Sequence, residues 1–242
     1  MIKNKNVILT GSEGFLGKFL RTELNLNGYN VISIDKQNKK TKNYFKTDLS
    51  KSKDISLTLR IIKKNFKQID ILINLAAVQI FTDFEKRNIN EIDDMLNVNL
   101  KANILLSQFV FKNYFKKQKN GNIINLASIF GVVSPNFNNY ERGDRKSSET
   151  YGATKSGIIQ LTKYFSNYMS KYNVKVNAIS PGGVENKKVQ TKSFINRYKK
   201  NVPLNRMGTK EDVINQVMFL LSEKSNYITG QNIILDGGYT SI

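Results

Sequence analysis

"VILTGSEGFLGKFLRTELN", Val7 to Asn25, joins two residue patterns through a turn that carries three glycines. Val7–Thr10 is apolar and β-branched, as a buried strand requires, and from about Phe15 to Asn27 apolar residues return at helical spacing. Between them, Gly11, Gly14 and Gly17 permit a tight turn and let backbone approach a phosphate. The helix start that follows offers unsatisfied N–H groups and positive potential. A glycine triplet alone carries little weight. At a strand-to-helix junction in the first β-α unit, it predicts a site for a dinucleotide pyrophosphate.

Outward from that turn, short apolar runs alternate with longer helical stretches. "NVISID" (Asn30–Asp35) reads as a second strand and Tyr44–Thr47 as a short third, followed by a helix over Ile55–Phe66. Ile69–Ala76 is a buried strand, Glu91 to Phe115 a long helix and Gly121–Ser128 a fifth strand. A second long helix opens near Tyr151, Val174–Ser180 is a sixth strand, and Thr209 with Asp212 forms a capping box before a helix to Leu221. "NIILDGG" closes the set. No repeat or linker divides residues 1–242, so the expectation is one α/β domain: a doubly wound parallel sheet of about seven strands with helices on both faces. Strand two ends at Asp35, 18 residues after Gly17. A carboxylate there accepts hydrogen bonds from ribose hydroxyls and repels a 2′-phosphate, which favours NAD. Lys36, Lys39 and Lys40 could instead attract that phosphate, so NADP stays open.

Composition removes whole classes of chemistry. The 242 residues include no histidine and no cysteine, which excludes a Ser-His-Asp triad, a thiolate nucleophile and a Cys/His zinc site; no metal site is expected. The net charge of +19 would suit a nucleic-acid binder. Its lysines, however, are spread along the chain, and the longest basic runs are pairs such as Lys63-Lys64 and Lys199-Lys200. A nucleic-acid partner is therefore not expected, whereas a general pull on anionic small molecules is. No apolar run approaches the ~18 residues of a membrane span, and the N-terminus lacks the apolar core of a signal peptide. A cytoplasmic protein is expected.

Proton transfer must then fall to carboxylate, Ser, Lys or Tyr. Tyr151 and Lys155 sit four apart on a helix, with Cβ atoms about 5–6 Å from each other. With 11 Tyr in a Lys-rich chain, about one and a half Tyr-x-x-x-Lys matches arise by chance, so the pair on its own could be a solvated helix face. As chemistry it is adequate: a Tyr base near neutral pH needs its phenolate stabilised by about 4 kcal/mol. A cation ~4 Å away supplies roughly that at an effective dielectric of about 20.

The context of that pair resembles the short-chain dehydrogenase/reductase family over essentially the whole chain. In order come the glycine turn, "NLAA" (Asn74–Ala77), "NVNL" (Asn97–Leu100), "NLASIFG" with Ser128, Tyr151-x-x-x-Lys155, "SPGGV" (Ser180–Val184) and "YITGQNIILDGGY". The resemblance implies a Rossmann fold and NAD(P)-dependent interconversion of a secondary alcohol and a ketone. Asn99 would hold a water in a proton relay, Ser128 would bind the substrate oxygen, Tyr151 would be the general acid/base and Lys155 would grip the nicotinamide ribose. Gly11, Ser12, Gly14, Phe15, Leu16 and Gly17 would face the cofactor's pyrophosphate side, Asp35 its ribose, and Asp48 with Leu49 its adenine. Asn74, Ala76, Pro181, Gly182 and Val184 would line the cleft. A homodimer or homotetramer through the two long helices and the C-terminal segment is also implied.

Three departures stand out. Phe15 replaces the second glycine of the family's shorter branch, so the spacing looks like the longer, sugar-nucleotide branch, yet that branch's extra C-terminal substrate domain is missing. "NLAA" replaces Asn-Asn-Ala-Gly. Finally, 22 residues separate Ser128 from Tyr151, about ten more than the shorter branch has. The surplus, "SPNFNNYERGDRKSSE" (Ser134–Glu149), must loop out beside the substrate cleft. Tyr140, Arg142 and Arg145 there are candidate substrate contacts; the arginines could grip phosphate or carboxylate, or the loop could simply be solvated. This long loop, with "KSGIIQLTKY" and "SPGGVEN", is similar to reductases of flagellin-glycan and nonulosonate sugar pathways, which implies a sugar-type substrate. "PLNRMGTKEDV" resembles 3-oxoacyl-[acyl-carrier-protein] reductases, a second reading. A non-catalytic cofactor sensor or nucleic-acid binder is the third, and the intact Ser128, Tyr151 and Lys155 argue against it.

Overall fold

Seven parallel strands place the glycine turn, Asp35, Asn74 and Ser128 at or just beyond their carboxyl ends. The computed structural model describes residues 5–39, 41–142 and 144–242; Lys40, one of the lysines considered for a phosphate, lies outside them. The chain runs β1 (Asn6–Thr10), α1 (Gly17–Leu26), β2 (Asn30–Asp35), β3 (Tyr44–Lys46), α2 (Ser52–Asn65) and β4 (Ile71–Asn74). A long helix follows: α3 (Ile89–Met95), α4 (Ala102–Val110) and α5 (Lys116–Gln118), joined through π-helical turns at Leu96–Lys101 and Phe111–Phe115. Then come β5 (Gly121–Leu126), α6 (Glu149–Met169), β6 (Val174–Pro181), α7 (Lys192–Lys200), α8 (Lys210–Leu221) and β7 (Asn232–Leu235).

The sheet order is β3-β2-β1-β4-β5-β6-β7, with every pair parallel. Strand order reverses between β1 and β4, which opens a crevice at their carboxyl ends. Strands buried on both faces read as near-continuous apolar runs, and their two sides feed two separate cores. Ile8, Ile32, Ile34, Leu72 and Ile123 pack with α2, α4 and Met169 of α6. Val7, Leu9, Val31, Ile71, Ile73 and Ile124 pack with α1 and α8.

Element boundaries differ from the sequence reading where side chains override pattern. β4 ends at Asn74 because Thr10 Oγ1 accepts from the N–H groups of Leu75 (3.0 Å) and Ala76 (3.1 Å), which pulls the chain off the ladder. The long helix starts at Ile89, set by a capping box between Asn88 and Glu91. The Thr209–Asp212 box caps α8 as expected. α7 has no counterpart in the sequence reading: it is Lys-rich, buries only Ile195 and Tyr198, and is capped by Thr191.

Candidate active site

The glycine turn makes the first wall. Gly11 adopts φ +68°, and a Cβ on Gly17 would fall 1.9 Å from the Gly11 carbonyl oxygen, so the turn closes only without side chains. Among the described residues, the N–H groups of Phe15 and Leu16, just ahead of α1, have no hydrogen-bond acceptor. Ser12 Oγ and Asn74 Oδ1 are buried without partners. Unpaired donors at a helix start fit an anionic diphosphate. Asp35 Oδ2 accepts from Glu13 N at 2.9 Å and Oδ1 from Gln37 N at 3.0 Å, which fixes the carboxylate against the turn. Asp48 is engaged by Ser50 N (3.0 Å), Ser50 Oγ (2.7 Å) and Lys51 (3.4 Å), and Leu49 belongs to the core.

The second wall is the junction of β5 with α6. Ser128 lies just beyond β5, its Oγ accepting from Phe130 N at 3.2 Å. Ser148 caps α6 by accepting from Tyr151 N at 3.2 Å, so Tyr151 occupies the first turn of that helix. A Cβ on Gly131 would lie 2.7 Å from the Lys155 carbonyl carbon; its absence lets the Ser128 turn press against α6. Lys155 is buried, Nζ donating to Leu126 O at 2.6 Å and lying 5.5 Å from the Tyr151 ring centroid.

In the protein alone, the expected charge effect of Lys155 on the phenol does not prevail. Burial pushes Tyr151 up to about 12, with a Ser128 hydrogen bond pulling the other way, and burial pushes Lys155 down to about 8. Desolvation disfavours both charged forms, and the ammonium is engaged by a carbonyl instead of the phenol oxygen. Asn99, in the first π-helical turn, has its amide committed: Oδ1 accepts from Val78 N (2.7 Å), and Nδ2 donates to Val78 O (2.9 Å) and Thr154 Oγ1 (3.2 Å). It ties the segment after β4 to the helix that carries Tyr151.

Both walls border one cleft of about 580 Å³, which Phe15, Leu16, Ser128, Tyr151, Lys155, Pro181, Gly182 and Val184 line. Tyr140 and Arg145 of the 134–149 loop also line it. Arg142 is exposed and, among the described residues, is not part of the lining. Arg145 stacks on Phe81 at 4.0 Å and, among the described residues, has no carboxylate at ion-pair distance. Sequence reasoning missed Phe81, Phe194 and Tyr198 in the lining. Nothing in their sequence spacing marks them: Phe194 and Tyr198 join Tyr140 and Tyr239 only in the fold, where successive ring centroids of Tyr140–Phe194–Tyr198–Tyr239 lie 5.4, 5.8 and 5.0 Å apart.

A switch-point crevice lined by Ser128, Tyr151 and the buried Lys155 is an arrangement suited to a dinucleotide-dependent oxidoreductase. Residues 24–240 match the family model described as Enoyl-(Acyl carrier protein) reductase, and the chain belongs to the short-chain dehydrogenase/reductase family. It is 30% identical to post-translational flagellin modification protein A of Campylobacter coli, covering 99% of both chains. It is 29% identical to a 3-oxoacyl-[acyl-carrier-protein] reductase of Buchnera aphidicola, covering 98% of both. Among solved structures, an NAD+-bound short chain dehydrogenase of Leptospira borgpetersenii superposes with TM-score 0.90 at 36% identity, covering 98% of this chain and 93% of that one.

Proposed function

We propose that the protein is an NAD(P)-dependent oxidoreductase that interconverts a secondary alcohol and a ketone on an anionic sugar derivative, an amino- or deoxy-sugar of surface-glycan assembly. The observation that carries this reading is the meeting of Ser128, Tyr151 and Lys155 in one cleft whose lining also includes Arg145. A bound nicotinamide dinucleotide supplies the hydride acceptor or donor. Gly11, Gly14 and Gly17 would cradle its diphosphate, Asp35 would accept from its ribose hydroxyls, and Pro181, Gly182 and Val184 of the lining, with Asn74 and Ala76 behind the turn, would hold the rest.

Ser128 donates its hydroxyl hydrogen to the substrate oxygen, which favours the alkoxide-like transition state. Tyr151 takes the proton from that oxygen during oxidation and returns it during reduction. Lys155, anchored by Leu126 O, supplies positive charge near the phenol and donors toward the cofactor ribose. Asn99 braces this arrangement through Val78 and Thr154. Arg145, its face held by Phe81, offers paired N–H donors to a substrate carboxylate or phosphate. The likeness to a flagellin modification protein and the long loop support the sugar reading.

A second reading, 3-oxoacyl-[acyl-carrier-protein] reductase, is favoured by the Buchnera relative and by a basic chain of net charge +19 that would attract an acidic carrier. Absorbance of the reduced cofactor separates the two, measured with amino- and keto-sugars, free or phosphorylated, against acetoacetyl thioesters. Tyr151→Phe is expected to lose at least ~100-fold in turnover while binding cofactor as the wild type does. An unchanged rate removes Tyr151 from the chemistry.

A further inference from the structure

Beside Asp35 lies a second buried acid. Glu13 stands between Gly11 and Gly14, with only 1% of its side chain exposed. Two cations approach it from outside: Arg21 Nη2 lies 3.0 Å from Oε1 and Lys39 Nζ 3.9 Å from Oε2. Its own N–H donates to Asp35 Oδ2 at 2.9 Å, which fixes the two carboxyl residues against each other where β2 ends. Tyr44, bonded to Gln37 O at 2.7 Å, registers the local field. Its phenol is pushed up to about 12, first by burial and then by Asp35 and Glu13, against an opposing pull from Arg21.

The arrangement bears on the charge that an adenosine ribose would meet. Arg21 and Lys39 are the kind of side chains that grip a 2′-phosphate, Arg with a planar fork and Lys as a point charge. Both already have a carboxylate partner in Glu13. Counting Glu13, Asp35, Arg21 and Lys39, two negative charges meet two positive ones and the cluster is neutral. Without Glu13, two cations would face Asp35 alone, and the cluster would carry one net positive charge. An Arg whose buried partner is removed is left with uncompensated charge and seeks another anion.

We propose that Glu13 is a specificity-determining residue: by holding Arg21 and Lys39 as its own counter-ions, it denies a 2′-phosphate its cations and selects NAD(H) over NADP(H). The inference rests on the reading of the cleft as a nicotinamide dinucleotide site. It assigns the choice to Glu13 acting with Asp35, not to Asp35 alone.

Isothermal titration of NAD+, NADP+, 5′-ADP and 2′,5′-ADP into the full chain tests it without turnover. The wild type is expected to bind NAD+ at least ~100-fold tighter than NADP+. Glu13→Gln is expected to tighten NADP+ and 2′,5′-ADP by ~10-fold or more while NAD+ stays within about 3-fold. Adding Arg21→Ala to Glu13→Gln is expected to abolish that gain. Should Glu13→Gln not fold, Glu13→Asp, which draws the carboxylate back by one methylene, is expected to shift the preference in the same direction. An unchanged preference in the variants, or a gain that survives loss of Arg21, overturns the role assigned to Glu13. A wild type that binds neither dinucleotide overturns the cleft reading together with it.

Discussion

Lys155 is an ammonium buried to 3% exposure with one carbonyl, Leu126 O, in reach. Burial lowers its pKa from 10.5 to about 8. Between about 8 and 10.5 the unfolded chain therefore binds more protons than the folded one, and stability rises with pH across that window. Below about 8 the whole cost of the buried charge is present, on the order of a few kcal/mol. Lys155→Met is accordingly expected to be more stable than the wild type at pH 7 by about 2 kcal/mol, with the gap closing as pH rises to 10.5. Urea unfolding at a series of pH values measures this; equal stability at pH 7 would show that the lysine is unstrained. The shared helix face of Tyr151 and Lys155 is legible from their spacing. The upward push on the phenol is not, because desolvation depends on what β5 and the Gly131 turn bring against α6.

At the scale of elements, the 134–149 loop and α7 behave as one piece. Arg197 of α7 pairs with Glu141 and with Asp144 (2.8 Å), and its Nε donates to Asn139 O at 2.9 Å. Thr191 Oγ1 donates to Asp144 at 3.1 Å, and Asn201 Nδ2 to Asn139 Oδ1 at 2.7 Å. Arg197→Ala is expected to speed amide exchange in the loop and to raise KM on the order of ten-fold, more than it lowers kcat. Hydrogen-exchange mass spectrometry with steady-state kinetics checks this, and an unchanged loop would show that the pairs are incidental. The sequence marks the loop by its surplus length between Ser128 and Tyr151. It hides α7, whose polar residues meet their partners only across about 50 residues of chain. It also places Arg142 and Arg145 on equal terms, and only the folded chain shows that Arg145, itself exposed, reaches the cleft beside Phe81.

For the whole molecule, alternating strands and helices make the parallel sheet legible almost strand for strand, since continuous apolar runs such as Val7–Leu9 and Ile71–Ile73 have no other use. Assembly is less legible, because surface aromatics depend on which helix face stays open. On α6, Tyr164 and Tyr168 are 59% and 54% exposed and stack at 6.0 Å, with Phe111 meeting Tyr168 edge-on. Such a patch on the long helices is what a second copy would cover. Light scattering is expected to find a dimer or tetramer, and Tyr164→Lys with Tyr168→Lys is expected to reduce it to smaller species. A wild-type monomer at micromolar concentration would refute the association.

The outward position of Arg142 has a practical use in a chain without thiols. Arg142→Cys would create the sole attachment point for a fluorescent reporter, on the substrate loop yet clear of the cavity it covers. Emission from such a dye would follow that loop in real time as ligands arrive, with no background labelling to subtract.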